Sequence, residues 1–339
     1  MGIHVGRLTS RQVDVVLELL LVGAAVTGLT SWALGTGWSK AVTVAHAVCG
    51  LTLLVVSAAK LRGSVRVGMR RRRISRWLSV CFGVLVLATV VLGVLHATGL
   101  WFGVGYWSAL WTHFLLAFVL LPLFVWHIVS RPVRPKLADL DRRGALRGGV
   151  VLVAGAALYG AQEVAVRAVG LRGGTRRFTG SHEIGSFDPP RMPTVSWIND
   201  RAPSSTAAAD WHLDVLGATV DVGALSDRAR PVVAQLDCTG GWWSSQSWNA
   251  VPLGELFDGR SAPSVKVTST TGYSRLFPYD AIDDLYLAVG YGGEPLRRAH
   301  GAPVRLVAPG RRGPWWVKWV ESVQLDDRPW WLQTPFPLE

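Results

Sequence analysis

Apolar residues fill the first 130 positions in runs longer than a globular core would use. Val13–Leu34, Ala41–Leu61, Trp77–Leu100 and Ala109–Val129 are each close to the ~20 residues that cross ~30 Å of hydrocarbon as a helix. A fifth run, Gly148–Val169, is weaker and contains Gln162, Glu163 and Arg167. From Ser181 the pattern changes. Short apolar stretches, Trp211–Leu216, Pro231–Asp237, Ser264–Ser269, Leu285–Val289, Val304–Val307 and Trp316–Leu325, alternate with turns rich in Pro, Gly, Asp and Thr. They predict strands, with Leu253–Phe257 a short helix and Gly290, Gly292 and Gly293 a hairpin turn. The expected architecture is an α-helical membrane bundle of five helices followed by an α+β, mostly β, domain. Residues 1–147 form the four-helix membrane domain, 148–170 the fifth helix, 171–184 a linker, and 185–339 the outer domain.

Charge turns this outline into an orientation. The chain carries +12 at neutral pH on 339 residues, with 50% apolar and 17% charged positions, which excludes disorder. The basic excess alone would suggest nucleic acid. Its placement excludes that partner: residues 1–150 hold 14 Arg and 3 Lys against 4 acids, whereas residues 151–339 hold 16 Arg and 2 Lys against 19 acids. Lys60, Arg62, Arg66, Arg70, Arg71, Arg72, Arg73 and Arg76 crowd one loop. Arg131, Arg134, Lys136, Arg142, Arg143 and Arg147 crowd another. By the positive-inside rule these loops and the N-terminus are cytoplasmic, and everything after about Gly170 lies outside, in a multi-pass plasma-membrane protein. Trp32, Trp38, Trp101, Trp107 and Trp111 then form the outer interfacial belt.

This orientation sets three histidines at one depth near the outer face: His46 on the second helix, His96 on the third and His113 on the fourth. Two imidazoles on facing helices can clamp a haem iron axially, in outline as in four-helix membrane cytochromes b. His46 with His113 is the first choice and His96 the next. Single interfacial hydrogen bonders are the alternative. His127, near the inner end of the fourth helix, has no histidine partner at its depth and suits an interfacial or lipid-headgroup contact. Asp141-Arg142-Arg143-Gly144-Ala145-Leu146-Arg147 resembles a twin-arginine export signal ahead of the fifth helix, although Ala145 stands at its aromatic position. Such export moves domains that have already folded around a cofactor. A positive-inside loop with adjacent arginines is the simpler alternative.

Of three cysteines, Cys49 and Cys81 fall in helices and suit small buried apolar roles. Cys238 is alone in the outer domain, in Leu236-Asp237-Cys238-Thr239-Gly240-Gly241-Trp242-Trp243, a strand running into a Gly-rich turn. One thiolate without a nearby His or second Cys is a poor zinc site. It suits a thiophilic metal that draws its other ligands from an organic group.

The segment Cys238-Thr-Gly-Gly-Trp with Gln246-Ser-Trp248-Asn-Ala-Val-Pro252-Leu253 resembles the cysteine segment of the sulfite oxidase superfamily of molybdopterin enzymes. His300-Gly301-Ala-Pro303-Val-Arg305-Leu-Val-Ala-Pro309-Gly310 is similar to that family's pterin-binding segment. Gly313-Pro-Trp-Trp316-Val317-Lys318-Trp319-Val320 is similar to its phosphate-proximal turn and strand. The resemblance covers about residues 185–335 and implies a molybdenum held by a pterin dithiolene, oxo groups and the Cys238 thiolate. It implies pterin contacts at His300 and Arg305, phosphate contacts at Trp316, Val317 and Lys318, and a metal-side tyrosine at Tyr273. Met192–Arg201 lacks the family's substrate-arginine motif, and Trp315 and Trp316 replace its polar residues, which puts sulfite itself in doubt. Trp242, Trp243 and Trp315 suit an apolar mouth or core.

The expectation is a membrane-bound molybdopterin oxidoreductase. It would act on a small S- or N-containing substrate and exchange electrons through haem b with quinone or a soluble carrier. The rivals are the same domain on a haem-free membrane anchor, and a non-catalytic binding module on the same fold.

Overall fold

The computed structural model describes residues 9–35, 37–68, 75–104, 107–130, 142–195, 200–257 and 259–334. Much of both basic loops, and Trp197 and Asn199 of the segment before the cysteine, lie outside them. The chain forms two compact units, Met1–Trp32 with Gly37–His182, and Glu183–Glu339 with Ala33–Thr36.

The first unit holds α1 (Ser10–Ala33), α2 (Ser39–Gly68), α3 (Ser75–Thr98), α4 (Ala109–Ser130) and α5 (Arg142–Ala168). All five contain spans long and apolar enough to cross a membrane. Phe82, Val86 and Leu120 form the centre of the α3–α4 contact, with Leu21, Leu85, Leu123 and Phe124 around them. Apolar side chains such as Leu19, Val26, Phe118, Val125 and Val153 point outward instead. Asp14 and Lys60 pair α1 with α2. Arg142 and Arg143 of the twin-arginine-like stretch start α5, and their side chains lie outside the described residues.

The stretch after α5, expected as a linker, is folded onto the end of α3 as far as His182. His96 donates from Nε2 to the Gly180 carbonyl at 3.0 Å, and His182 donates from Nε2 to the His96 carbonyl at 2.8 Å. Arg172 lies over the Phe102 ring, and Arg176 pairs with Glu163.

The second unit is built from two sheets. Its strands are β1 (Leu213–Val215), β2 (Ala218–Val220), β3 (Arg230–Cys238), β4 (Trp242–Pro252), β5 (Ser264–Ser269), β6 (Ser274–Pro278), β7 (Tyr286–Tyr291), β8 (Glu294–Pro295), β9 (Arg305–Val307) and β10 (Val320–Asp326). In one sheet the long strand β4 pairs antiparallel with β3 and with β7, which also pairs with β8 and β9. The other runs β2-β1-β10-β5-β6, with β1 and β10 parallel. Leu213, Val265, Val267, Phe277, Leu287, Leu306, Val320 and Val323 are fully buried and form its cores. Helix α6 (Val222–Arg228) starts at Asp221, whose carboxylate accepts from the Ala224 N–H at 2.8 Å.

One departure from the sequence pattern has a physical cause. Strand β4 is the longest in the unit, yet its inward positions include Ser244 and Gln246 beside Trp242, Trp248 and Ala250. Buried polar residues hide the period-2 signal. Gln246 is held inside by donating to the Gly185 carbonyl at 2.6 Å and to the Ser244 hydroxyl at 2.9 Å. The short helix expected at Leu253–Phe257 is present as a 3-10 helix over Leu253–Leu256. The expected glycine hairpin is present: Gly292 and Gly293 take φ of 61° and 84° between paired Tyr291 and Glu294, the left-handed pair that a tight two-residue hairpin needs.

Candidate cofactor site

Cys238 ends β3 and faces Trp242 across the turn to β4. Its thiol is buried, and the Gly240 N–H points at Sγ from 3.3 Å. Burial pushes the thiol above its ordinary range, while the Gly240 N–H and the Arg312 charge pull it back. Arg312 braces this strand end from the neighbouring segment. It is fully buried, donates to the Cys238 carbonyl at 3.0 Å, and lies 3.6 Å from the Asp237 carboxylate.

The other residues expected here gather on the same face of the sheet as Trp248, a register neighbour along β4. The Arg305 guanidinium lies 5.0 Å from the Trp248 ring centre and 5.6 Å from that of Trp316. Trp248 stacks on Tyr291 at 5.6 Å, and Tyr291 meets His300 at 5.3 Å. Arg305 donates to the His300 carbonyl at 2.9 Å. Gly301 makes this approach possible: at φ 104°, a Cβ there would meet Arg305 Cβ at 3.0 Å and Lys318 Cβ at 3.1 Å. Lys318 donates to the carbonyls of Ala299 at 2.7 Å and Val195 at 2.9 Å, which leaves its third N–H. Val317 contributes backbone, accepting from the Leu306 N–H at 2.7 Å, and the Trp316 indole donates to the Arg311 carbonyl at 3.1 Å.

Burial and mutual repulsion set the charges. Lys318 is pushed down to about 8 by burial and the Arg305 charge, and Arg305 down to about 10 by burial. Burial, then Arg305, Lys318 and Arg297, push His300 down to about 3, so it is neutral at pH 7. The pocket is lined by cations, and a phosphate held there would relieve their repulsion.

The site also holds buried polar atoms with no protein partner: Arg305 Nε, Gln246 Oε1 and Trp242 Nε1. Each costs about 1–3 kcal/mol unless something completes it. A polar heterocycle with an anionic tail fits these atoms and Lys318. Among the described residues no three His, Cys, Asp or Glu side chains come together to hold a metal. A metal at Cys238 would therefore take most of its ligands from the organic group, as the lone thiolate implies.

Tyr273, read from the sequence as either a metal-side or a core or rim tyrosine, is buried. Its hydroxyl donates to the Pro314 carbonyl, and burial pushes it up to about 12. Arg275 donates to the same carbonyl and lies over the Trp315 ring. Sequence reasoning assigned no role to Arg312, Asp237, Tyr291 or Arg275; their buried charge and packing are visible only in three dimensions.

In the helical unit His46 and His113 come together, with ring centres 5.9 Å apart and planes at 88°. Each Nδ1 contacts a carbonyl of a neighbouring helix, Ala24 at 2.9 Å and Thr89 at 2.7 Å. A carbonyl partner requires the proton on Nδ1, which leaves Nε2 as the lone-pair nitrogen. Gly28 and Gly93 make room for the two rings: a Cβ on either would meet its imidazole at 2.9 or 3.1 Å. His96 is not brought into this pair. It is spent on the Gly180 carbonyl and packs on His182 at 4.9 Å. His127 stacks on Phe82 at 5.2 Å.

A 49-residue stretch is 43% identical to Nitrate reductase (NADPH) of Mycosarcoma maydis, covering 14% of this chain and 5% of that protein's length. The solved sulfane dehydrogenase SoxCD from Paracoccus pantotrophus aligns at 24% identity over 38% of this chain and 41% of that one, with a TM-score of 0.35. Residues 202–332 match the family model of the oxidoreductase molybdopterin binding domain, and the matched segment contains Cys238, Tyr273, His300, Arg305 and Lys318.

Proposed function

We propose that the protein is a membrane-bound molybdopterin oxidoreductase that transfers an oxygen atom to or from a small S- or N-containing substrate. The observation that carries the proposal is Cys238 buried at a strand end beside the buried cations Arg305 and Lys318, within the matched segment. When bound, the molybdenum group supplies two-electron oxygen-atom chemistry. The chain's part is to hold the metal through Cys238, to seat the pterin against Arg305, neutral His300 and Trp248, and to neutralise the phosphate with Lys318. Elemental analysis of the purified full chain tests this: about one molybdenum per chain is expected, and its absence removes the proposal.

Lys318 makes loading depend on pH. Its free form loses the proton near pH 8, whereas a bound dianion would hold it on. Phosphate binding therefore takes up a proton above pH 8, and affinity falls as pH rises. Calorimetry with inorganic phosphate on unloaded protein is expected to show about a tenfold loss per pH unit above 8. Lys318→Met should flatten the profile; an equal slope in that variant would count against the assignment.

The helical unit is proposed to span the membrane with its arginine-rich loops cytoplasmic and the sheet domain outside, lipid covering its outward apolar side chains. The export reading of Arg142 and Arg143 belongs to the same proposal. His46 and His113 are proposed as the residues that would hold one haem b, which would exchange electrons with quinone or a soluble carrier. Their ring centres 5.9 Å apart, with Nδ1 of each on a carbonyl and Nε2 left with its lone pair, support this. The visible spectrum of the purified chain should show a Soret band that disappears in His46→Ala or His113→Ala and survives in His96→Ala. A chain with molybdenum but no Soret band would make the helices a haem-free anchor.

A further inference from the structure

Five tryptophans of the sheet unit can be compared by what their indole N–H groups do. Trp211 donates to the Val320 carbonyl at 2.8 Å, Trp248 to Ala234 at 3.1 Å, Trp316 to Arg311 at 3.1 Å and Trp319 to Arg298 at 2.8 Å. Trp242 is only 5% exposed, and its Nε1 has no partner. Leaving a buried donor unmade is expensive; the Nε1 of the adjacent Trp243 is likewise without a partner, but strand alternation turns it to the other face of β4.

The position of that donor gives it a use. Trp242 and Cys238 are register partners, so their side chains leave the same face of the sheet side by side. The two groups flank one gap. A Cβ built on Gly240 would stand 3.5 Å from Cys238 Sγ and 3.5 Å from Trp242 Nε1. Glycine at 240 leaves open the space between the thiol and the indole nitrogen. Arg312 donates to Cys238 O, Lys318 to Val195 and Ala299, and Arg305 to His300 and Trp316, with Arg305 Nε left over. Trp242 Nε1 is the donor that the Gly240 contacts place at the thiol's gap, and it is neutral.

We propose that Trp242 donates its indole N–H to an oxygen ligand of the group that Cys238 holds. This rests on the molybdenum reading of the site and adds a residue to it. A fixed neutral donor stabilises charge that builds on such an oxygen without adding a permanent charge beside the thiolate. It also accounts for a tryptophan here where an apolar mouth would need only an aromatic ring.

The test uses the purified full chain and a vibrational readout. The metal–oxygen stretch of the wild type should shift after prolonged exchange into D2O. Trp242→Phe should retain its molybdenum within twofold, show a displaced stretch in H2O, and lose the D2O shift. Equal D2O shifts in both proteins, or none in a molybdenum-loaded wild type, would overturn the proposal. If Trp242→Phe loses its metal, Trp242→His decides: recovered metal with a restored D2O shift supports a donor role, and metal loss in both makes the position one of packing and sinks the idea. A wild type without molybdenum fails differently, because it removes the reading of the site rather than the role of Trp242.

Discussion

Cys238→Ala is expected to lower dye-coupled turnover by more than about 100-fold and to strip most of the molybdenum, while the melting temperature of the unloaded protein barely moves. Disturbing groups that merely support a metal's ligands costs ~10–100-fold, so removing the one protein ligand should cost more. The thiol is buried, so Ala removes little volume, and the strand end stays braced by Arg312 and Asp237. Cys49→Ala, in α2, is the matched control and should leave metal and turnover unchanged. Elemental analysis and turnover on the same preparations check both. Full metal and turnover in Cys238→Ala would remove the site.

Arg312→Leu is expected to be among the most destabilising single changes in the sheet unit. Its guanidinium and the Asp237 carboxylate are 1% and 5% exposed, and breaking such a pair leaves a charge in a low-dielectric interior, at about 3–5 kcal/mol. For a unit of this size that is a fall in Tm of about 10 °C. Replacing both partners together, Asp237→Leu with Arg312→Leu, should recover much of the loss, because no charge is then stranded. Thermal unfolding of the single and double variants decides it. A single variant within 1 °C of wild type would mean that the pair contributes little to this strand end.

Much of the site was legible in the chain because short stretches carry it. Cys238 with its Gly-rich turn, and His300 through Arg305 to Lys318, are segments whose order and spacing survive folding. The residues that were not legible act across strands. Arg312 reads as one of many arginines until it is seen buried against Asp237 and the Cys238 carbonyl. The contact of the Tyr273 hydroxyl with the Pro314 carbonyl, 41 residues away in the chain, is likewise tertiary. Strand β4 escaped because buried Ser244 and Gln246 look like surface, and their hydrogen bonds are tertiary.

The helical half divides in the same way. Local hydropathy alone determines five long apolar helices, because a run of that length has few other ways to satisfy its backbone. Arginine placement by itself determines the expected orientation. That His46, His96 and His113 fall on three successive long apolar helices is a sequence property. Which two of them meet is not: helix rotation brings His46 to His113 and turns His96 onto the Gly180 carbonyl. Composition and local periodicity are properties of neighbouring residues, so the chain states them directly. The pairing of His46 with His113, of Asp237 with Arg312, and of Cys238 with the free indole of Trp242 depends on register and helix rotation, which only the packed tertiary structure decides.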